Sequence, residues 1–310
     1  MKVFDLHCDT ATACCYKKAG MDAAGFDASL QPHDFLRAQC FALFVHDERY
    51  NNESGEDMFR RYLAYFKAEM QRLSSCVQQC RSAQEVQAAW QQGKHAAILT
   101  VENGAAFSGK MENVHLAAQS GAKVVGITWN GENELACGSV TDQKKGLKPF
   151  GREAIKEMRR LGMTPDISHL SDAGVDELFC MSDDVVIATH SNLRSICDVP
   201  RNLTESMFRE IVRRNGIVGL NLFIRFLGED YDSPAVLLRH IYRMLELGGE
   251  KAVCLGCDMD GAVLPAYCKN AAHFPQLYAI VAEALGEKVA EAVFYENAMR
   301  FFAGNEEAGT

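Results

Sequence analysis

The chain has 310 residues, 48% of them hydrophobic and 24% charged, with 24 Gly and 7 Pro. That composition excludes a disordered or collagen-like protein and supplies enough apolar surface for a large core without disulfide or metal staples. Lys and Arg number 32 against 41 Asp and Glu, a net charge of -9, and no basic run exceeds two residues (Lys17-Lys18, Arg60-Arg61, Lys144-Lys145, Arg159-Arg160, Arg213-Arg214), which argues against a nucleic-acid partner.

The chain opens MKVFDLHCDT, entering an apolar run at once, so a secretory leader is not expected and the 12 cysteines are expected to be reduced, in the cytoplasm. No apolar run approaches the roughly 18 residues of a membrane span, and the closing NEEAGT carries no lipidation or anchor signal.

Eight short apolar runs, at 3–9, 39–45, 96–102, 123–128, 164–169, 185–190, 216–222 and 252–258, are too brief for buried helices. Most are continuous rather than alternating, as strands covered on both faces are. Between them, 57–74, 153–161, 173–180, 204–215 and 234–247 have the apolar spacing of amphipathic helices, and Asn202-Leu203-Thr204-Glu205 supplies an N-cap ahead of Phe208, Ile211 and Val212. The alternation predicts an α/β fold, a (β/α)8 TIM-type barrel, as one domain over 1–310 with a C-terminal helix around 277–302. A doubly wound sheet is the alternative. The longest insertions are expected at 46–95 and 259–276, and no linker, low-complexity tract or repeat interrupts the chain.

Barrel enzymes place their chemistry at the carboxyl ends of the strands. Here the first run ends His7-Cys8-Asp9, the third in Glu102, the fifth in His169, the sixth in His190 and the eighth in Asp258, whereas the second, fourth and seventh end without an obvious ligand. Alternation along a strand puts His7 and Asp9 on one face and Cys8 on the other. A lone strand-end histidine is commonly just a hydrogen-bonded residue, but three of them with three carboxylates at one rim form a donor set of imidazole nitrogen and carboxylate oxygen. That set suits zinc, with manganese or iron as weaker fits. The cysteines, including Cys254-Leu255-Gly256-Cys257, lack a second knuckle and are expected to be packing residues, Cys8, Cys14 and Cys137 lying nearest the rim.

Five blocks carry a family signature: Asp5-Leu6-His7-Cys8-Asp9, Val101-Glu102-Asn103-Gly104, GLKPFGREAIKEMRRLGMTPDISHLSD from Gly146, ATHSNLRSICDVPRNLT from Ala188, and GCDMDG from Gly256. The chain resembles the zinc dipeptidases of the renal (membrane) dipeptidase family, among the amidohydrolase-like barrels. The resemblance implies two zinc ions, one held by His7, Asp9 and Glu102 and the other by Glu102, His169 and His190, with Glu102 bridging and a shared water or hydroxide as nucleophile. It implies that Asp258 takes the proton from that water and passes it to the leaving amine, and that Arg201 holds the terminal carboxylate of a small dipeptide-like substrate. Asp260, the other acid of the block, is expected to bond the turn at Gly261.

One position departs from the family pattern: Trp129 follows Ile127-Thr128 where the better-known members have a histidine that contacts substrate. Trp129 then either offers its single N–H to an oxyanion or forms a wall of the pocket, and Asn133, with Asn130 and Glu134, is a nearby polar candidate for substrate binding. Two other readings keep the metals: an amidohydrolase acting on an N-acyl amino acid, lactam or lactone, and a non-catalytic metal-stabilised binding protein. The family's habit also allows a homodimer.

Overall fold

The computed structural model describes residues 1–31, 35–47 and 52–304. The closing segment 305–310 and part of the expected insertion at 46–95 lie outside the described residues. Nine strands appear among the described residues: β1 (Lys2–Cys8), β2 (Leu36–Phe44), β3 (Val77–Gln79), β4 (His95–Glu102), β5 (Val124–Gly126), β6 (Thr164–Asp166), β7 (Ile187–Ala188), β8 (Ile217–Leu220) and β9 (Val253–Leu255). Eight of them form a closed parallel ring. β2 pairs with both β1 and β4, the ladder continues through β5, β6, β7, β8 and β9, and Asp5 of β1 meets Leu255 of β9. The expected (β/α)8 barrel is the fold found.

β3 falls within the expected insertion and stands outside the ring. It pairs with His95, Ala96 and Ala97, the first part of β4, while β5 pairs higher up at Thr100 and Val101. The rest of that stretch is helical, at Gly55–Arg72 and Ala83–Gln91. The first of these starts with a reciprocal cap, Ser54 and Asp57 each bonding the other's backbone N–H.

Two hydrophobic clusters show which way each strand faces. Phe4, Leu6, Ala38, Cys40, Ala96, Ile98, Val124, Ile187, Ile217 and Cys254 fill the barrel and its base, where the helices Ala83–Gln91 and Asn297–Gly304 close it with Val86, Trp90, Phe301 and Phe302. Val3, Cys8, Phe41, Leu43, Leu99, Val101, Val218 and Leu255 face the outer helices. In β1 both Val3 and Cys8 face outward although they are five residues apart, so the alternation slips once. The slip coincides with a break in β1–β2 register between Asp5 and Cys8.

Several expected strands end early. β6 stops at Asp166 and β7 at Ala188, before His169 and His190. The Asp166 carboxylate accounts for this: Oδ1 accepts from the backbone N–H of Ser168 (2.9 Å) and of Thr189 (3.1 Å), taking over donors that a longer ladder would use. The expected C-terminal helix is likewise broken, into Phe274–Leu285, Glu287–Glu291, a wide turn over Ala292–Glu296 and Asn297–Gly304, the first break falling at Gly286 with φ 92°. All 12 cysteines are free; most are buried as expected, but Cys180 is exposed.

Late in the ring the backbones approach closely. A Cβ on Gly256 would stand 1.9 Å from the Thr189 carbonyl oxygen, one on Gly219 would stand 2.0 Å from it, and each would meet the other's Cα at 2.9 Å. Gly256→Ala is therefore expected to lower stability by about 1–3 kcal/mol or more through overpacking, read as a fall of several degrees in Tm. An unchanged Tm would mean that β7, β8 and β9 can spread.

Candidate active site

Six side chains converge over the carboxyl ends of the strands: His7 and Asp9 from the end of β1, Glu102 from the last position of β4, His169 and His190 from the turns after β6 and β7, and Asp258 from the turn after β9. Glu102 lies at their centre. Its Oε2 is 3.3 Å from His7 Nε2, while its Oε1 is 3.1 Å from His169 Nε2 and 3.7 Å from His190 Nε2. One carboxylate thus serves two sets of imidazoles with separate oxygens. His7 Nε2 also lies 3.8 Å from Asp9 Oδ2 and 4.0 Å from Asp258 Oδ1, and its ring stacks on that of His190 with centroids 3.7 Å apart.

Donor atoms of His7, Asp9 and Glu102, of Glu102, His169 and His190, and of His7, His190 and Asp258 form three groups, each within 4.8 Å. Among the described residues, His7 Nε2, Asp9 Oδ1 and Glu102 Oε2 are buried without a hydrogen-bond partner. Asp9 also occupies the N-cap of the helix Thr10–Lys17 yet makes no side-chain cap bond, so its carboxylate is directed elsewhere. Converging buried lone pairs of this kind are costly unless shared with a cation, and the nitrogen and oxygen donors fit divalent metal ions.

The titration behaviour fits the same picture. Burial, and then the charge of Asp9, push the Glu102 carboxyl up to about 8. Burial pushes the His7 imidazole down, but Glu102 and Asp9 outweigh it and hold His7 well above its ordinary value. His169 and His190 lie well below theirs, through burial first and then the charges of Arg201 and His7, which leaves them neutral with a lone pair to give. Asp258 is raised, by burial and then by Asp9 against the opposing pull of His7. Protons occupy the cluster where cations would stand.

The turn after β9 is tightly specified. Asp258 and Asp260 both adopt left-handed backbone, φ 64° and 65°, a conformation that Asp tolerates better than most residues. Asn221 Nδ2 donates to Asp258 Oδ2 (3.0 Å), leaving Oδ1 toward His7. A Cβ on Gly261 would stand 1.9 Å from Asp9 Oδ2, so only glycine lets this turn pass the carboxylate. Asp260 does not bond the turn at Gly261 as expected. Its oxygens accept from Thr10 Oγ1 (2.5 Å), Asp27 N (2.6 Å) and Ala28 N (3.1 Å), tying the segment before β2 to the rim.

The substrate candidates divide. Arg201 is buried and each of its three nitrogens donates one hydrogen bond, Nε to His169 Nδ1 (3.2 Å), Nη1 to Ser191 Oγ (3.0 Å) and Nη2 to the His190 carbonyl (2.9 Å). Burial lowers its guanidinium to about 10. Asn133, expected at the substrate, is instead consumed by the fold. Its Nδ2 donates to Asn103 Oδ1 and the Ile127 carbonyl, and its Oδ1 accepts from the N–H groups of Leu135 and Ala136. Glu134 is exposed, whereas Asn130 Oδ1 lies 3.2 Å from His169 Nδ1. Trp129 forms a wall, its ring centroid 5.0 Å from Phe44, 5.2 Å from His46 and 6.4 Å from His169.

Asp9, Glu102, His169, His190 and Asp258, with Trp129 and Asn130, line a cavity of about 450 Å³, and Arg201 lies behind His169 outside that lining. Phe44, His46 and Trp129 form one side and Phe223 and Phe226 another. Of these five residues only Trp129 stood out in the sequence. Phe44 and His46 follow from the β2–β4 register, which sets Phe44 level with Glu102. The Asn103–Asp47 link was also missed: Asn103 Nδ2 donates to Asp47 Oδ1 and the Val45 carbonyl, each at 2.8 Å, and Asp47 Oδ2 accepts from Gly131 N, stitching the β2, β4 and β5 ends together.

The family model for membrane dipeptidase, peptidase family M19, matches residues 1–309. The chain belongs to the membrane dipeptidase family. As a member it is a metal-dependent hydrolase. A solved metallopeptidase of the family, dipeptidase AC, is 25% identical, superposes with a TM-score of 0.88 and covers 100% of this chain and 99% of that one. A Rhodobacter sphaeroides metallopeptidase, solved with a phosphinate mimic of the dipeptide L-Ala-D-Ala, is 24% identical with a TM-score of 0.88 over 100% of this chain and 99% of its own. A Klebsiella pneumoniae protein from the pqqA 5' region is 29% identical over 232 residues, 71% of this chain and 86% of its own length.

Because Glu102 is raised to about 8, the folded chelator-treated protein keeps a proton that the unfolded chain gives up, and this contribution to stability is lost as pH rises toward 8. His7, also raised, acts in the same direction, whereas His169 and His190, lowered, act oppositely and only below about pH 6.5. The Tm of chelator-treated protein is therefore expected to fall between about pH 6.5 and pH 8, and saturating divalent metal to abolish that fall. A flat profile would contradict the proposed charge state.

Proposed function

We propose that the protein is a cytoplasmic dipeptidase that uses two zinc ions to hydrolyse the peptide bond of small dipeptides, as a monomer or homodimer. The observation that carries this reading is the division of Glu102, one oxygen toward His7 and the other toward His169 and His190, at the floor of a cavity of dipeptide size. His7, Asp9 and Glu102 would hold one ion, and Glu102, His169 and His190 the other. When bound, such a pair supplies Lewis acidity, polarising the scissile carbonyl and making water a nucleophile near neutral pH. Among the described residues no helix is long and apolar enough to cross a membrane, which accords with a substrate met in solution.

This chain's own residues do the rest. Asp258 Oδ1, on the side away from Asn221, receives the proton of the attacking water and returns it to the leaving amine. Its raised pKa suits a group that must both take and give a proton. With Nε2 given to a cation, His169 would carry its proton on Nδ1, and Arg201 Nε would lose its acceptor there. A substrate carboxylate would be the group to replace it, and the planar guanidinium suits that contact. Trp129, with Phe44, offers an apolar face where a charged residue would favour polar substrates, so large apolar side chains are accommodated best.

Three outcomes test this. Asp258→Asn is expected to retain zinc, by metal analysis, while hydrolysis falls about 10²- to 10⁴-fold. Retained hydrolysis would remove Asp258 from the mechanism. In a panel of free dipeptides and their N-acylated counterparts, release of amino acids from the free dipeptides should dominate; faster turnover of acylated substrates, lactams or lactones would replace the dipeptidase reading with the amidohydrolase one. Trp129→Ala should reduce kcat/KM for dipeptides with large apolar side chains about 10-fold or more relative to alanyl-alanine, and an equal loss on both would refute the wall.

A further inference from the structure

Behind His190 runs a chain of hydrogen bonds that the proposed reaction does not use directly. His190 Nδ1 lies 2.7 Å from Thr189 Oγ1, and Thr189 Oγ1 lies 2.5 Å from Asp166 Oδ2. All three side chains are buried, Asp166 at 5%, Thr189 at 1% and His190 at 1% exposure, so water does not compete for these bonds. The direction of the chain follows from the donor inventory. An ionised carboxylate only accepts, so the single hydroxyl hydrogen of Thr189 goes to Asp166. The Thr189 oxygen must then accept from His190, which places the imidazole proton on Nδ1 and the lone pair on Nε2. Nε2 is the atom that faces Glu102 and His169.

The other groups around Asp166 reinforce this order. Its Oδ1 accepts from Ser168 Oγ (2.6 Å) and from the backbone N–H of Ser168 and Thr189, while Ser168 Oγ accepts from the backbone N–H of His190 at 3.2 Å. The carboxylate is thereby fixed by β6 and by the start of the β7 turn together. His169 has no such support. Its Nδ1 lies 3.2 Å from the Asn130 amide oxygen and 3.2 Å from Arg201 Nε, one acceptor and one donor that favour opposite tautomers.

We propose that Thr189 and Asp166 are positioning residues for His190, acting as a hydroxyl-carboxylate relay that fixes Nε2 as the ligating atom before any cation arrives. The relay rests on the reading of His190 as a metal ligand. It makes the two imidazoles of that site unequal: His190 is set in advance, whereas His169 settles its tautomer on binding. Partners of this outer kind orient a ligating imidazole and raise its basicity, and their loss costs about 10- to 100-fold in metal affinity.

Two substitutions at Thr189 separate the relay from simple packing. Thr189→Val keeps the shape and removes the hydroxyl; Thr189→Ser keeps the hydroxyl and removes the methyl. With zinc alone as the probe, in competition with a chromophoric chelator and without substrate, Thr189→Val is expected to bind one of its two ions about 10- to 100-fold less tightly, and Thr189→Ser to stay near the parent. In chelator-treated protein, nitrogen-15 spectra should show His190 protonated on Nδ1, and that preference should vanish in Thr189→Val. Equal zinc affinity of parent and Thr189→Val, or a larger loss in Thr189→Ser, would overturn the relay while leaving the metal site standing. A parent protein that binds no zinc would overturn the metal reading, and the Nδ1 signal would then show whether the hydrogen-bond chain exists without it.

Discussion

The structure depends on one electrostatic constraint: the carboxyl groups of Asp9, Glu102 and Asp258 meet at a rim from which water is largely excluded. Carboxylates brought together in such a place repel one another and lose hydration, and the fold can tolerate them only by retaining protons or by admitting cations. The imidazoles of His7, His169 and His190 are interleaved with them, so Asp9 Oδ2, both oxygens of Glu102 and Asp258 Oδ1 each face nitrogen. Around this knot the rest of the rim is rigid. The Asn103–Asp47–Gly131 bonds, the Asp260 contacts to residues 27 and 28, and the carboxylate of Asp166 all fix backbone on which a ligand stands. Their common effect is that little reorganisation is left for the moment of binding.

The barrel and the metal-type donor set were legible in the sequence for a simple reason. Continuous apolar runs mark strands covered on both faces, and a polar residue closing such a run must lie at an end. His7, Asp9, Glu102, His169, His190 and Asp258 all close or directly follow one. What periodicity cannot carry is the manner in which strands stop. Runs five and six read as strands up to their histidines, but the Asp166 side chain captures the backbone donors and turns the chain first. Side-chain capture of this sort leaves no trace in hydrophobic spacing.

The misjudged polar residues share another cause. Asn133 and Asp260 carry the right chemistry near the right place, yet each spends its hydrogen bonds on the fold: Asn133 Oδ1 closes a local turn on the N–H groups of Leu135 and Ala136 while its Nδ2 bonds Asn103, and Asp260 takes the backbone N–H groups of Asp27 and Ala28 from far along the chain. Conversely Phe44 and Phe223 border the cavity through strand register and loop path, which only three-dimensional pairing discloses. A sequence announces which residues can bind; the accounting of donors and acceptors decides which are left over to do so.

The slip in β1 gives the strand two independent halves. Below it, Phe4 and Leu6 obey the demands of filling the barrel; above it, His7 and Asp9 obey those of the mouth, and Cys8 turns out to the helices. Were the alternation unbroken from Leu6, the imidazole would point into the helical layer and the thiol into the mouth. The extra residue therefore works as a clutch: volume can be traded among the lower side chains over evolutionary time without rotating the ligands, and the mouth can be retuned without reopening the interior.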